Sequence, residues 1–220
     1  MAGGAGPPET RYTRVGPDRI AYQVLGQGPP DLVLTMGAFS HVDIVWEDPQ
    51  TALFLRRLAS FCRLLRFDRR GTGASDPLPP DPLLPWEAYA EELVAVMDAV
   101  GSQRAALLVA GPEAGPLALS FAGTRPDRTG ALILADVTAR YLADDDYPIG
   151  FSPEATEAMV ARAAELWGTE TVAGVYAPAA PATSGSCAGR PGSSGRSPAR
   201  GWCAPTCRRC WRSTSARSCR

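Results

Sequence analysis

The stretch from Arg104 to Ala122 constrains the fold most, because it predicts a buried strand, a sharp turn and a helix in direct succession. Residues Ala105 to Ala110 are apolar and end at Gly111, as is typical of a short strand buried in a sheet. The segment Gly111 to Gly115 predicts a tight turn. Pro116 to Ala122 is rich in small residues, which let a helix pack closely on a sheet. This unit favours a parallel α/β architecture.

The rest of the chain alternates strand and helix patterns in the same way. Strands are predicted at Arg11–Val15, Arg19–Leu25, Asp31–Met36, Arg63–Phe67 and Ala131–Ala135, and helices at Thr51–Phe61, Trp86–Val100 and Ser152–Trp167. The first two strands flank a Gly16-Pro17-Asp18 turn, which predicts an antiparallel hairpin at one edge. We expect two of the strands, Asp31–Met36 and Ala131–Ala135, to be buried. The apolar face of the first helix is expected to carry Phe54, Leu55, Leu58 and Phe61. The fold class predicted is α/β with a mostly parallel sheet.

Charge and cysteine are unevenly distributed. Residues 1–176 carry a net charge of −9, whereas residues 177–220 carry eight arginines and no acidic residue. Cys62 is alone in the first part and is expected to be a buried, inert thiol; the other five are Cys187, Cys203, Cys207, Cys210 and Cys219. The sequence shows neither an 18-residue apolar run nor a basic segment followed by an apolar one at its start. We therefore expect a cytoplasmic protein with no membrane partner.

Two loops and two helix-flanking runs carry a resemblance to a known family. Asp68-Arg69-Arg70-Gly71-Thr72-Gly73-Ala74-Ser75 resembles the Asp-x-Arg-Gly-x-Gly-x-Ser signature of α/β-hydrolases, and Gly37-Ala38 lies where that family supplies an oxyanion-hole N–H. The runs Trp46–Pro49 and Val96–Ser102 resemble actinobacterial hydrolase-like domains related to class III adenylate cyclases. The resemblance covers about residues 10–176. It implies a three-layer sheet fold, a small acyl-type ligand and a cyclase-type partner domain.

The same resemblance implies a nucleophile elbow of the form Gly-x-Ser-x-Gly at the turn after Ala105–Ala110. One register places Pro112 at the nucleophile, between Ala110 and Ala114, and the other places Glu113 there, between Gly111 and Gly115, so neither contains a serine. Glu113-Ala114-Gly115-Pro116 resembles the Glu-Gly-Gly-Pro that follows the serine in the family, which favours the register with Pro112. The catalytic histidine of the family follows its eighth strand, whereas the chain's one histidine is His41. The sequence therefore predicts a degenerate elbow, no catalytic residue and an inactive pseudo-hydrolase that binds a ligand or serves a regulatory role.

Two other functions are open at this point. A carboxylate nucleophile, Glu113 or Asp136, would make the chain an active hydrolase of esters or small molecules, with His41 as the base. Alternatively, the arginines and cysteines of the tail would form a binding module for zinc or nucleic acid, although the cysteine spacing is not that of a paired zinc site. Asp144, Asp145 and Asp146 are more typical of a solvated face than of a cation site. We expect no metal, no cofactor and no nucleic-acid partner.

The tail has a further interpretation. With permitted GC-rich codons, Pro181–Arg190 and Cys207–Arg220 can be translated two bases along into peptides that resemble the missing part of the family fold. The expected organisation is a disordered N-terminus at 1–9, a hydrolase core at 10–150, the start of cap helices at 151–176 and a frameshifted, non-native tail at 177–220. A chain of this kind would lack the last strands of the sheet. Its exposed apolar edges would favour aggregation or dye binding.

Overall fold

The computed structural model describes residues 6–37, 40–78, 84–111, 114–140 and 142–166. The predictions for residues 1–5 and 167–220, which include the end of the predicted cap segment, lie outside the described residues. A first compact unit extends to Ala139 and a second begins at Arg140. The strands are β1 (Arg11–Val15), β2 (Asp18–Leu25), β3 (Asp31–Met36), β4 (Arg63–Phe67), β5 (Ala105–Ala110) and β6 (Thr129–Ala135), and the helices are α1 (Pro49–Ala59), α2 (Trp86–Ala99), α3 (Gly115–Thr124) and α4 (Pro153–Leu166).

The first unit is built on one mixed sheet with the strand order β1-β2-β4-β3-β5-β6. β1 pairs with β2 and β2 with β4 in antiparallel fashion, whereas β4, β3, β5 and β6 run parallel to one another. The predicted antiparallel hairpin at one edge and the mostly parallel sheet are both confirmed. Because parallel neighbours require a crossover, α1, α2 and α3 each link one parallel strand to the next.

Helices cover both faces of this sheet, so the three-layer prediction is confirmed. Side chains alternate between the two faces along a strand. Leu65 and Phe67 therefore enter the larger core with α2 and α3, while Leu64 enters the smaller core with Leu55 of α1. Cys62 is buried in that smaller core as a free thiol, and burial raises its pKa. This agrees with the expected inert role, since the thiolate is the reactive form.

The apolar face predicted for α1 is only partly correct. Asp48 caps the helix by accepting a hydrogen bond from the Thr51 N–H at 2.8 Å, so α1 begins earlier than predicted, at Pro49. Leu55 is fully buried, but Phe54 is 48% exposed and Phe61 59% exposed. Phe61 lies beyond the end of the helix, where the helical periodicity that grouped these residues no longer applies.

The prediction that Ala131–Ala135 is a buried strand is wrong. In β6, Ile133 is 47% exposed and Leu134 is 43% exposed. β6 is the last strand in the sheet order, so within the described residues only one of its edges is paired. An apolar run predicts a strand but does not say whether that strand lies at the centre or the edge of a sheet.

In the second unit, the residues described before α4 form a short irregular segment. Isolated bridges link Leu142 to Phe151 and Asp144 to Tyr147. Arg140 forms ion pairs with Asp144 and Asp146. The part of the chain that the structure describes contains no cluster of acidic, histidine or cysteine residues suited to a metal ion. Ser152 accepts a hydrogen bond from the Ala155 N–H at 3.2 Å, as predicted for an N-cap. No described helix is both long enough and apolar enough to cross a membrane.

Candidate functional site

The loops that follow β3, β4, β5 and β6 form the candidate site. In an open parallel sheet the carboxyl ends of the strands are where ligands bind, because the loops that follow them meet there. These loops span residues 37–41, 68–76, 111–114 and 136–138. Ala38, Phe39, Pro112 and Glu113 lie outside the described residues, so the predictions made for them stay predictions. The structure does describe the backbone that flanks them.

The described residues on either side of the predicted elbow lie close together at the end of β5 and the start of α3. Gly111 has a φ of 99°, a conformation that glycine adopts without steric cost. Its N–H donates to the carbonyl of Ala135 at 3.2 Å, and its carbonyl accepts from the N–H of Ala114 at 3.0 Å. A Cβ on Gly115 would lie 2.2 Å from the carbonyl oxygen of Thr138, so the first residue of α3 has to be glycine. The elbow is therefore held against the loop after β6.

Gly37, predicted as part of the oxyanion loop, uses its N–H within the sheet. This N–H donates to the carbonyl of Ala110 at 3.2 Å and so extends the β3–β5 ladder by one bond. An N–H that already has a partner does not add a donor to an oxyanion hole. If this loop provides a donor, it has to come from Ala38 or the residue after it.

Asp68 joins the loops that follow β3 and β4. It is fully buried, and its carboxylate accepts hydrogen bonds from the Ser40 hydroxyl at 2.6 Å, the Val42 N–H at 3.0 Å and the Ala74 N–H at 2.9 Å. A Cβ on Gly73 would lie 2.0 Å from the Asp68 carboxylate, and Gly73 has a φ of 52°. The segment that carries the resemblance thus has a structural role here. It fixes two of the loops at the site.

Arg70 and Glu92 form a buried ion pair that the sequence analysis missed. The Arg70 Nε lies 2.5 Å from a Glu92 carboxylate oxygen, and the Arg70 N–H donates to the other oxygen at 3.2 Å. The Glu92 side chain is fully buried, and burial raises its pKa even though Arg70 opposes the shift. Glu92 stands four residues before the buried Val96, which places it on the inward face of α2. The four-residue spacing between Glu92 and Val96 was the feature of the sequence from which the burial of Glu92 could have been predicted.

His41 lies three residues before the short 3₁₀ helix Ile44–Glu47, and its imidazole accepts hydrogen bonds from the backbone at the start of that helix. Its Nδ1 accepts from the N–H groups of Asp43 at 3.2 Å and Ile44 at 3.4 Å. Both bonds engage the Nδ1 of the ring with the backbone of its own loop. His41 thus serves the local backbone.

Asp136 follows β6 directly and is next to the elbow through the Ala135–Gly111 hydrogen bond. With a φ of 51°, it is the one non-glycine residue in the left-handed region within the described ranges. Aspartate tolerates this conformation better than most side chains. Asp136 is thus a carboxylate at the predicted site, but its conformation is also that of an ordinary turn residue.

A second group missed by the sequence analysis is a buried polar cluster on the face of the sheet that carries α1. Gln23 is fully buried, accepts a hydrogen bond from the Trp46 indole N–H at 2.9 Å and donates to Asp43 at 3.1 Å. Arg66 pairs with Gln23 across the β2–β4 ladder and is 2% exposed. Burial lowers the pKa of Arg66 to about 10, although Asp43 and Asp68 oppose the shift. The cluster anchors the segment after His41 to the sheet.

A wide, open concavity of about 710 Å³ lies at the opposite edge of the sheet, where the parallel strands begin. It is lined by Gly28–Asp31, Arg63, Arg104–Ala106, Gly130 and Ala131. The paired Asp31 and Arg63 side chains lie 2.5 Å apart at its wall. It is separated from the candidate site by the length of the strands.

Comparison with solved structures identifies the fold. A hydrolase from Pseudomonas aeruginosa is 24% identical to this chain with a TM-score of 0.58, and the match covers 78% of this chain and 58% of that one. An enol-lactonase from Burkholderia xenovorans is 23% identical with a TM-score of 0.56, over 76% of this chain and 58% of that one. An esterase from a Rhodococcus species is 23% identical with a TM-score of 0.50, over 59% of this chain and 46% of that one.

The protein therefore has the α/β-hydrolase fold, as the resemblance implied. The chain spans between 46% and 58% of the length of these three structures. Sequence comparison finds no matching family model and no matching curated protein. At this level of identity the likeness establishes the fold, and function has to be argued from the site.

Proposed function

We propose that this chain is a non-catalytic protein of the α/β-hydrolase fold, a pseudo-hydrolase that uses the loops at the carboxyl ends of its strands for binding. The observation that carries the proposal is the absence of a nucleophile–base pair. In the register that the resemblance favours, Pro112 takes the position of the family's serine, and His41, the single histidine of the sequence, engages its Nδ1 with the backbone N–H groups of Asp43 and Ile44.

Acyl transfer by this fold needs three groups to act together. A hydroxyl attacks the carbonyl, an oriented imidazole accepts its proton, and N–H donors stabilise the oxyanion. Proline has neither a hydroxyl nor an N–H, and the Gly37 N–H is already bonded to Ala110. A bound ester would therefore be held without being attacked, which favours binding of a small acyl-type ligand over its hydrolysis.

The second candidate is hydrolysis through a carboxylate, with Glu113 or Asp136 as the nucleophile. The position of Asp136 beside the elbow supports it, and the neighbours in fold include a hydrolase and an esterase. A carboxylate can form an acyl- or alkyl-enzyme intermediate, but turnover requires a base to activate water. The Nδ1 of His41 is already engaged with the backbone of its own loop, so we rank this function second.

Hydrolysis of p-nitrophenyl acetate and butyrate by the purified protein tests both functions. We expect no release of p-nitrophenol above the level of the heat-unfolded chain. Glu113→Gln and Asp136→Asn are measured beside it, with Glu91→Gln as the matched control, because Glu91 is a half-exposed carboxylate on α2, away from these loops. Turnover that is lost in either test variant and kept in Glu91→Gln would refute the pseudo-hydrolase and establish carboxylate catalysis.

The resemblance to cyclase-related domains adds a regulatory proposal. A fold that binds an acyl-type ligand without consuming it can report the presence of that ligand to a partner domain of the adenylate cyclase type. Isothermal titration with p-nitrophenyl butyrate would show the binding step as saturable heat with no change in ligand absorbance. Absence of any saturable heat would remove the ligand-binding part of the proposal.

A further inference from the structure

Arg69 is a buried cation for which the described residues provide no acceptor. It follows Asp68 directly in the loop after β4, and only 8% of its surface is exposed. Its Nε is completely buried and has no hydrogen-bond partner. The ion pairs formed by the described residues of this loop use Arg70 and Asp76 instead. Buried polar groups nearly always have a partner, so this guanidinium points to an acceptor that the chain itself does not supply.

Two side chains of α2 lie near Arg69 without giving it an acceptor. The guanidinium lies over the Tyr89 ring, 5.3 Å from its centroid, and this contact holds the cation in place. Burial raises the pKa of Glu92, and the hydrogen bonds and charge of Arg70, followed by the charge of Arg69, oppose that shift. Glu92 is thus within range of Arg69, but both of its oxygens already accept hydrogen bonds from Arg70.

Arg69 also lies at the edge of the sheet that carries the candidate site. The loop after β4 belongs to that site, and Tyr89 stands in the first turn of α2. Trp86 lies beside Tyr89, with ring centroids 5.7 Å apart, and both rings are partly buried against the larger core. A cation bordered by aromatic surface suits a ligand that has an apolar chain and one anionic end.

We propose that Arg69 binds the carboxylate of an acyl-type ligand, so that the ligand of this site is a free carboxylic acid and not its ester. The inference rests on the proposed function, in which the loops at the carboxyl ends of the strands bind an acyl-type ligand without attacking it. The planar guanidinium donates two parallel hydrogen bonds to the two oxygens of a carboxylate. An ester carbonyl offers one neutral oxygen in their place.

The surrounding charges favour a carboxylate over a phosphate. A phosphate group carries close to two negative charges at neutral pH and three acceptor oxygens, so it requires more than one cation. The neighbouring cation, Arg70, is already paired with Glu92 at 2.5 Å and with Asp18 at 3.0 Å. Arg69 alone is left to bind a ligand, and one guanidinium matches one carboxylate.

Isothermal titration of the full chain with hexanoate and with hexanamide tests the proposal, because the two molecules have nearly the same shape and differ in charge. Wild-type protein should bind hexanoate at least about tenfold more tightly than hexanamide. Arg69→Met keeps most of the side-chain volume, removes the donors and should bind both molecules equally. Arg125→Met is the matched control, since Arg125 is 38% exposed directly after α3, and it should keep the wild-type preference.

A second variant and a spectroscopic measurement do not depend on the folding of Arg69→Met. Arg69→Lys keeps the charge and loses the planar fork, so the preference for hexanoate should fall to a few-fold. The NMR signal of the Arg69 Nε–H, identified by its loss in Arg69→Lys, should shift in wild type as hexanoate is added and stay unchanged with hexanamide. Circular dichroism melts check that each variant folds.

Three results would overturn the carboxylate assignment. They are equal affinity of wild type for hexanoate and hexanamide, a preference that survives in Arg69→Met, and binding of inorganic phosphate as tight as that of hexanoate. If p-nitrophenyl butyrate binds and hexanoate does not, the assignment is wrong and the pseudo-hydrolase stands. If hexanoate binds through Arg69 while p-nitrophenyl butyrate is hydrolysed, the assignment stands and the proposed absence of catalysis is wrong.

Discussion

The Arg70–Glu92 pair allows a quantitative prediction about stability. The Glu92 side chain is fully buried and the Arg70 side chain is 10% exposed. We expect Arg70→Met to keep most of the buried volume and to remove the cation. Breaking a buried pair from one side costs about 3–5 kcal/mol, because the remaining charge is left in a low-dielectric interior.

The lower end of that range applies here. In Arg70→Met the backbone N–H of residue 70 can still donate to Glu92, as it does at 3.2 Å in wild type. One charge-assisted hydrogen bond therefore survives, and we expect a loss of about 3 kcal/mol. That is a large share of the 5–15 kcal/mol typical of a folded domain. Arg125→Met is the matched control, since Arg125 and Glu91 are 38% and 50% exposed and such pairs contribute less than about 1 kcal/mol.

The loss should depend on pH with a definite sign. Burial raises the pKa of Glu92 above its ordinary value of 4.5, and removing Arg70 removes the main opposing influence. The folded variant then binds a proton more tightly than the unfolded chain does. Its stability is therefore highest below about pH 4.5 and falls as the pH rises through the folded-state pKa. The difference from wild type should shrink on acidification from pH 7.5 to 5.

Urea unfolding followed by circular dichroism measures these differences, with the slope of the transition checked for two-state behaviour. A double variant, Arg70→Met with Glu92→Leu, should recover most of the loss, because no fully buried charge remains; Asp18, which also pairs with Arg70 at 3.0 Å, is 29% exposed and reaches solvent. The reasoning is wrong if Arg70→Met costs no more than Arg125→Met, if its cost is the same at pH 5 and pH 7.5, or if the double variant is no more stable than the single one.

Three further predictions concern the loops and the opposite edge of the sheet. Asp68→Ala leaves three donors without their acceptor and should lower the free energy of unfolding in urea by about 3 kcal/mol. Gly73→Ala would place a Cβ 2.0 Å from the Asp68 carboxylate and should lower it by at least about 1 kcal/mol. Either variant with wild-type stability would contradict the structural role of this turn. His41→Ala should lose about 1 kcal/mol of stability through the two backbone bonds and leave any background ester hydrolysis unchanged, so a fall in hydrolysis would count against its role in the local backbone. The hydrogen bond from Arg63 lowers the pKa of Asp31, so the stability gap between wild type and Asp31→Asn should be constant above about pH 5 and narrow as the pH falls below 3.8 through the folded-state pKa. A gap that stays constant or widens on acidification would refute this assignment.

The sequence alone predicted most strands and helices and the mostly parallel class of the sheet, but not the order of its strands. The mostly apolar runs Asp31–Met36 and Ala105–Ala110 predicted β3 and β5 with their observed bounds, because a strand buried on both faces is largely apolar. The bounds predicted for β4 were also correct, although that strand contains Arg63 and Arg66. Local patterns also predicted the hairpin, the Ser152 cap and the alternation that implies a parallel sheet. These features depend on neighbours in the chain, and so local residue types determine them.

The tertiary structure decided how polar side chains are used. No local pattern shows that the Asp68 carboxylate accepts three hydrogen bonds from two loops. Nor does one show that Glu92 forms an ion pair with Arg70, or that the Gly37 N–H donates to the carbonyl of Ala110. Each of these contacts joins residues at least 6 positions apart, and most join residues more than 20 apart. Their identity depends on which strands are adjacent, which sequence periodicity does not specify.

The same distinction holds for β6 and for the site. Composition determined that Thr129–Ala135 is an apolar strand, that the chain has a single histidine and that no serine occupies the elbow. Only the fold showed that β6 is the last strand of the sheet among the described residues, that Ile133 and Leu134 are about half exposed there, and that the imidazole of His41 accepts hydrogen bonds from the backbone. Burial and hydrogen-bond partners depend on residues that are distant in the chain and close in space. The role of a chemically reactive residue such as His41 is therefore determined only by the folded structure.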